Sequence, residues 1–268
     1  VSVAATPLAP APAAAPAASP APAAHAPAEA PAPAQGGEIN IQAAQIRLPA
    51  AALDASGGQG GRIVLDASAP ASGAPAAPAP LPAPERGQVV LQGTAQLSTR
   101  GRRGQGGSIT LLGDDLRLHD QTLLDGSGAT GGGSVRVGGG WQGGEGLYAA
   151  GTVAMDGGAR IDASATTQGD GGSVVLWSDV TRDGGLTTAQ GQLLARGAGA
   201  GGHGGRVETS GHQVDTQGLR VDAGAPQGSG GLWLIDPYNY TIGSAQASTI
   251  AGSLNTGTSV TINTSANN

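Results

Sequence analysis

The stretch Gly106-Gly107-Ser108-Ile109-Thr110-Leu111 decides the fold, because its pattern of a Gly-Gly pair before two alternating apolar positions occurs seven times. The pairs are Gly36-Gly37, Gly60-Gly61, Gly106-Gly107, Gly132-Gly133, Gly171-Gly172, Gly204-Gly205 and Gly230-Gly231. A polar residue occupies the second of these positions only after the sixth pair, where it is Thr209. Alternation with a period of two after a glycine turn is typical of a β-strand with one buried face. A turn and strand that recur along the chain predict a repeat protein.

The spacing of the pairs indicates which repeat protein this is. Their second glycines are separated by 24, 46, 26, 39, 33 and 26 residues, by subtraction of sequence numbers. The two longest gaps divide at Gly87 and Gly151, each of which again precedes two alternating apolar residues. A period in the twenties suits a β-solenoid coil of two or three short strands, whereas a propeller blade needs about 40–50 residues. We therefore predict an all-β, right-handed parallel β-helix (β-solenoid) of roughly seven to nine coils.

A second motif recurs shortly before four of the Gly-Gly pairs, as an aliphatic residue followed by Asp and a small residue. The aspartates are Asp54, Asp125, Asp162 and Asp222. Asp favours turns because its side chain accepts hydrogen bonds from nearby backbone N–H groups. We expect the four to cap corners, in one column, and to bind no calcium. The stretches closest to a calcium-binding repeat place Arg62 and Arg206 where the ligand Asp is required.

Composition agrees with a solenoid and excludes several classes of protein. The 268 residues include 49 Gly but only 2% aromatic residues, so a conventional globular core would be underfilled. The absence of cysteine excludes disulfides, thiol catalysis and Cys-ligated metals. With a net charge of −6 and one basic cluster, Arg100–Arg103, the chain is not predicted to bind nucleic acid. No stretch approaches the roughly 20 apolar residues of a membrane span.

Proline divides the chain into domains, because it cannot donate hydrogen bonds to a β-ladder. Residues 1–35 are rich in Ala and Pro and are predicted to form a disordered linker. Residues 36–268 are predicted to form the β-helix, with an Ala/Pro-rich loop inserted at about 67–86. The chain opens with Val1 and shows no recognisable signal peptide, which predicts a segment of a longer precursor.

The motifs that resemble chemical sites favour structural roles, so no catalytic, cofactor-binding or metal-binding residues are predicted. Two G-x-G-x-x-G matches, at 126–131 and 197–202, lead into a strand and not into the helix that a dinucleotide site needs. The only adjacent acid pair, Asp114-Asp115, is interpreted as a turn. The four histidines show no metal-ligand spacing and are interpreted as solvated loop residues: His25, His119, His203 and His212.

The C-terminal third carries a resemblance to a known family. Its motifs are GGSVVLWSD at 171–179, GGRVETSG at 204–211, GLWLIDP at 231–237 and YTI at 240–242. Their succession resembles the filamentous haemagglutinin-like exoproteins of two-partner secretion systems in Gram-negative bacteria. The resemblance is specific from about 124 to 263 and extends to 36–123 only as a pattern. The family's N-terminal secretion domain is not visible, which places the chain downstream of it.

This resemblance implies a function and a partner. It implies a β-helix that an outer-membrane two-partner secretion transporter exports, so that the chain is secreted or displayed on the bacterial surface. We predict a non-catalytic segment of an adhesin, forming its elongated stalk, with a receptor or glycan that the sequence does not identify. The alternatives are a carbohydrate-active β-helix enzyme or polysaccharide-binding module, and a passive spacer that presents a C-terminal effector.

Overall fold

The structure is a computed structural model, and it describes residues 32–68 and 87–264. The linker predicted at 1–35 and the insertion predicted at about 67–86 therefore lie mostly outside the described residues, and both stay predictions. The described part of the linker joins the β-helix at once, because Gln35 forms a parallel bridge with Gln59. Ala67, at the start of the predicted insertion, is buried in the core.

Twenty strands, numbered in chain order, form three parallel sheets in the described residues. The first sheet contains β1 (Glu38–Gln42), β4 (Arg62–Asp66), β7 (Ser108–Leu112), β10 (Ser134–Val137), β13 (Ser173–Trp177), β16 (Arg206–Gly211), β19 (Leu232–Pro237) and β20 (Ser259–Ile262). The second contains β2 (Gln45–Pro49), β5 (Gln88–Gln92), β8 (Asp115–Leu118), β11 (Thr152–Met155), β14 (Leu186–Ala189) and β17 (Gln213–Asp215). The third contains β3 (Ala52–Asp54), β6 (Gln96–Ser98), β9 (Leu123–Asp125), β12 (Arg160–Asp162), β15 (Gln192–Leu194) and β18 (Arg220–Asp222).

Apart from β20, which pairs with β19, each strand pairs with the strand three positions away, so successive coils stack as a parallel β-helix and the fold prediction is confirmed. The apolar positions after the Gly-Gly pairs form continuous inward rows. Ile109, Val135 and Val174 are paired in register and are all fully buried. The core therefore lies between the three sheets and consists mainly of aliphatic side chains.

The Gly-Gly pairs stack at one corner, where neighbouring backbones approach too closely for a side chain. A Cβ added to Gly107 would lie 2.0 Å from the carbonyl oxygen of Gly61 in the preceding coil. Real Cβ atoms do not make such contacts, so glycine is required for the close approach and not for an unusual backbone angle.

The polar position in the sixth coil has a partner inside the core. Thr209 is fully buried, and its hydroxyl accepts a 3.1 Å hydrogen bond from the indole Nε1 of Trp233. Trp233 occupies the inward position that is paired with Val207 and is itself fully buried. The threonine therefore satisfies the polar group of the largest core side chain, as buried indoles require.

The first sheet has eight strands, within the seven to nine coils predicted, but only six of the coils are complete. Six coils contain a strand in every sheet, followed by β19 and β20 in the first sheet alone. The prediction that Gly87 and Gly151 begin further coils is wrong, because the strands after them, β5 and β11, belong to the second sheet. The 46- and 39-residue gaps are instead coils with insertions, between β4 and β5 and between β10 and β11.

One helix interrupts the all-β pattern. α1 (Ser244–Asn255) lies between β19 and β20 and packs against β18 and β20. It takes the place of strands in the second and third sheets, so it covers the last complete coil at that end. No helix in the described ranges combines the length and hydropathy needed to cross a membrane.

Candidate functional site: a covered acidic cluster on the first sheet

The insertion between β10 and β11, residues 138–150, forms a covering loop over the outer face of the first sheet. Its glycines let its backbone lie directly against Trp177 of β13. A Cβ on Gly139 would come within 2.5 Å of Trp177 Cδ1, and one on Gly143 within 2.9 Å of Cζ2. As a result Trp177, on the outer face of its sheet, is only 6% exposed.

The covering loop also buries a carboxylate. Glu208 of β16 lies between the inward residues Val207 and Thr209, so its side chain points to the outer face. It is nevertheless fully buried. Its Oε2 accepts a 2.9 Å hydrogen bond from the backbone N–H of Gln142, and its Oε1 accepts one of 2.8 Å from the hydroxyl of Ser210.

Burial raises the pKa of Glu208 from 4.5 to about 7, because the charged carboxylate loses its hydration, and nearby Asp236 acts in the same direction. The hydrogen bonds from Gln142 and Ser210 and the charge of Arg206 lower the pKa without offsetting burial. A group with so strongly shifted a pKa beside a cleft is a candidate for a functional acid.

Two further contacts attach the covering loop to the sheet. Arg136 of β10 forms a 2.7 Å ion pair between its Nε and the Oε2 of Glu145. The guanidinium of Arg206 lies 4.4 Å from the centre of the Trp141 ring, a cation–π contact. The loop is therefore attached to β10 and β16, on either side of β13.

A cavity of about 290 Å³ lies beside this cluster, between the loop backbone, Trp177, Thr181 and Asp236. Asp236 lines it and is 3% exposed, whereas Glu208 does not line it. Because both oxygens of Glu208 already accept hydrogen bonds and neither faces the cavity, the geometry fits an acid that holds the loop better than one that acts on a substrate.

The corner aspartates lie where the sequence predicts them, at the last position of strands in the third sheet. Asp54, Asp125 and Asp162 align in one column with Asp222. Each Oδ1 accepts a hydrogen bond from the backbone N–H two residues later: Ser56 (2.8 Å), Ser127 (3.0 Å), Ser164 (2.9 Å) and Gly224 (3.0 Å). They cap corners as expected. Within the described residues no three His, Cys, Asp or Glu side chains form a group able to hold a metal ion.

The adjacent acid pair is divided between two roles. Asp114 lies in the turn before β8 and forms an ion pair with Arg182. Asp115 is the first residue of β8, so only half of the pair lies in a turn. Burial opposes the charge of Asp115, but hydrogen bonds from Arg117, Gln88 and Thr152 outweigh it and hold the pKa below its ordinary value. Both carboxylates are thus taken up by local contacts.

One histidine departs from the solvated role predicted for all four. His212 is half-buried, its ring stacks on Tyr238 with centroids 4.8 Å apart, and its Nδ1 lies 3.1 Å from the carbonyl oxygen of Val180. The prediction is wrong for this residue because β19 brings Tyr238 beside it. His119 is also half-buried and lies 3.0 Å from Asp156, His203 is exposed as predicted, and His25 lies outside the described residues.

The acidic cluster around Glu208 was not predicted from the sequence. A single acid at an outward strand position is normally solvated, and its burial depends on a loop 66 residues earlier in the chain. One signal was available, the glycine-rich run at 138–146 within the 39-residue interval between two Gly-Gly pairs. Such a run indicates a backbone that packs closely against another part of the protein.

The HMW1 secretion domain from Haemophilus influenzae is similar in structure to this chain, with a TM-score of 0.54 and 26% sequence identity. The similarity covers 76% of this chain and 47% of the HMW1 chain, so this chain spans about half the length of that structure. No protein-family model matches the chain, and no curated protein matches it significantly.

This match confirms the resemblance to two-partner secretion exoproteins. The similar domain is itself a secretion domain, which revises the expectation from the sequence that the chain resembles only the region downstream of one.

Proposed function

We propose that this chain is a non-catalytic β-helical segment of a two-partner secretion exoprotein, exported through an outer-membrane transporter of that system. The observation that carries the proposal is the structural similarity to the HMW1 secretion domain over 76% of the chain. The proposed location is the exterior of a Gram-negative bacterium, secreted or at the cell surface.

The architecture supports export of an unfolded chain followed by folding coil by coil. Every strand in the described residues pairs only with strands of the adjacent coils, so a coil can add as soon as the previous one is in place. One coil alone is unstable, because ordering each residue costs about 1–2 kcal/mol and its few inward side chains return about 1.5–3 kcal/mol each. The absence of cysteine leaves no disulfide to obstruct the passage.

The finer function is that of an adhesin stalk. The coils share one continuous apolar core, and the covering loop and α1 pack on the outside of the stack. Such a stack forms a stiff support for binding surfaces. The passive-spacer alternative remains a second hypothesis. A catalytic role receives less support, since the buried Glu208 does not line the neighbouring cavity.

Secretion tests the proposal directly. The chain would be fused behind the secretion signal of a two-partner exoprotein and produced in a Gram-negative host with and without its transporter. We expect the folded, protease-resistant β-helix in the medium or on the surface only when the transporter is present. Equal export without the transporter, or periplasmic retention with it, would contradict the proposal.

Adhesion and catalysis require separate measurements on the purified chain. Beads coated with the chain are expected to bind host cells or surface glycans more than uncoated beads. A reducing-sugar assay on a panel of polysaccharides is expected to show no release of sugar. Release that disappears in Asp236→Asn would instead favour the enzyme alternative.

A further inference from the structure

α1 forms one wall of a groove whose other wall is the third sheet. The helix carries no charged residue, and the side that lines the groove carries hydroxyls, from Ser248, Thr249 and Ser253, with Thr256 just beyond its end. Gly252 lies between them, and a Cβ added there would meet no atom within 4 Å. Thr249 and Ser253 are buried, so this uncharged wall exposes the hydroxyls of Ser248 and Thr256 and the open side of Gly252.

The opposite wall is rich in arginine. Arg160, Gln192 and Arg220 occupy the same outward position of β12, β15 and β18 and are paired in register. Adjacent strands lie about 4.8 Å apart, so the two arginines stand roughly 10 Å apart along the solenoid axis. Arg196 follows β15 at the next corner and also lines the groove.

These guanidiniums are only partly neutralised. Arg220 is exposed and forms no ion pair within the described parts of the chain. Arg196 lies 3.9 Å from Asp222, and its side chain is 49% exposed. Arg160 contacts Asp162 at 2.6 Å and is 43% exposed. Two acids, Asp162 and Asp222, offset the three arginines, so the groove keeps an excess of positive charge on a chain whose net charge is −6.

The groove is elongated. Its volume is about 630 Å³, and it adjoins two further depressions of about 520 and 540 Å³. It shares Gln192 and Arg220 with the first of them, and Arg196 and Asp222 with the second. The three lie side by side along the strand direction over the fourth to sixth coils, from the corner before the third sheet to the corner after it. This elongated shape suits an extended polymer better than a small anion.

We propose that this groove binds an acidic polysaccharide, with Arg160, Arg196 and Arg220 contacting sugar carboxylates and the exposed hydroxyls of Ser248 and Thr256 contacting sugar hydroxyls. Guanidinium groups bind carboxylates through paired hydrogen bonds. The groove lacks the aromatic anchors that dominate protein–protein contacts, which disfavours an acidic protein as the occupant. The inference gives a ligand class to the adhesin part of the proposed function and rests on that part alone.

Binding would be measured by calorimetry with oligomers of polygalacturonate, and with a neutral galactan as the uncharged control. The decisive pair of variants is Gly252→Glu and Gly252→Gln, which add side chains of similar size but different charge to the open side of α1. We expect Gly252→Glu to weaken binding about tenfold and Gly252→Gln to change it little, because only the first places a carboxylate in the groove. Both replace a helical glycine and should preserve the fold.

A second set of variants tests the arginines. Replacing Arg160, Arg196 and Arg220 together by Gln should abolish measurable binding, whereas Arg62→Gln, an exposed arginine on the first sheet, should leave it unchanged. Melting temperatures would verify that each variant is folded. The proposal is overturned if the wild-type chain does not bind polygalacturonate, or if Gly252→Glu binds it as tightly as the wild type does. It is also overturned if the wild type binds neutral galactan or DNA as tightly as polygalacturonate. Each of these results leaves transporter-dependent secretion unaffected, so the two proposals fail separately.

Discussion

The backbone N–H of Gln142 donates a 2.9 Å hydrogen bond to Oε2 of Glu208, a residue 66 positions later in the chain. Gln142 belongs to the insertion of the fourth coil and Glu208 to the sixth, so the bond passes over β13 of the fifth. In a solenoid whose strands contact only adjacent coils, the covering loop thus couples coils that are not neighbours.

The first prediction concerns pH. The unfolded chain releases the Glu208 proton near pH 4.5, whereas the folded chain releases it near 7, so between these values the folded state binds more protons. Stability should therefore fall as pH rises from about 5 to about 8, by about 2–3 kcal/mol from this residue. In Glu208→Gln the side chain is neutral at every pH, and the Ser210 hydroxyl can rotate to donate a hydrogen bond to the new amide or to accept one from it.

Urea unfolding of both proteins at pH 5 and pH 8 measures this contribution. We expect Glu208→Gln to gain stability relative to the wild type on going from pH 5 to pH 8, while the contributions of other titrating groups cancel in the comparison. Glu145→Gln, which removes a partly exposed acid of the same loop, is the control and should show a smaller change. Parallel pH profiles for the wild type and Glu208→Gln would rule out the buried acid as the cause.

The second prediction concerns the backbone of Gln142, whose φ of 51° and ψ of 38° lie in the left-handed region. Gln142→Gly keeps the N–H donor and removes the strain of the side chain, so it should stabilise the fold by about 0.5–1 kcal/mol. Gln142→Pro cannot adopt this φ and has no donor, which leaves Oε2 of the buried Glu208 without a partner. It should destabilise by more than about 2 kcal/mol.

Chemical denaturation of the two variants supplies the comparison. Changes of the same sign in Gln142→Gly and Gln142→Pro would mean that the loop is not held by this hydrogen bond. Proteolysis within 138–150 gives a second measurement, since only the proline variant should expose the loop to cleavage.

The sequence predicted the parts of the fold that depend on local pattern. All seven Gly-Gly pairs precede a strand of the first sheet, and the four corner aspartates lie in one column, because an alternating strand and an Asx turn are determined by their own residues. Coil counting failed at Gly87 and Gly151, since the same glycine-then-strand signal also begins strands of the second sheet.

The missed elements depend on distant contacts. α1 consists largely of Ser, Thr, Ala and Gly, with Ile250 and Leu254 as its only large apolar residues, so no helical periodicity is visible. Its position follows from packing against β18 and β20, which only the folded chain provides. Glu208 was missed for the same reason, because a loop from another coil determines its burial.

The third prediction concerns the corner aspartates. The Oδ1 of Asp125 accepts hydrogen bonds from the N–H (3.0 Å) and hydroxyl (2.6 Å) of Ser127, which is 3% exposed. Asp125→Ala would leave both donors buried without a partner and should destabilise by about 1–3 kcal/mol. Asp125→Asn keeps an acceptor at the same position and should lose less, mainly the contact with Arg100 at 3.3 Å.

Equilibrium unfolding ranks these variants, and a calcium titration separates capping from metal binding. If the aspartates only cap, the melting temperature of the wild type should be the same in millimolar calcium and in chelator. A substantial rise with calcium, lost in Asp125→Ala, would reveal a bound ion, because a ligand of the folded state stabilises it by mass action.

The last prediction concerns the glycine corner, where two equivalent positions have different surroundings. A Cβ added to Gly61 would lie 2.0 Å from the carbonyl oxygen of Gly37 and 2.5 Å from that of Ala55, and neither backbone can move without breaking ladder hydrogen bonds. A Cβ added to Gly37 itself, in the first coil, would meet no described atom within 4 Å. Gly61→Ala should destabilise by more than about 3 kcal/mol, whereas Gly37→Ala should be neutral or slightly stabilising. Since both substitutions make the same chemical change at the same position of the repeat, urea unfolding would isolate the effect of the neighbouring coil. Equal losses in the two variants would mean that the strand itself requires glycine and that the coils are less closely stacked at this corner.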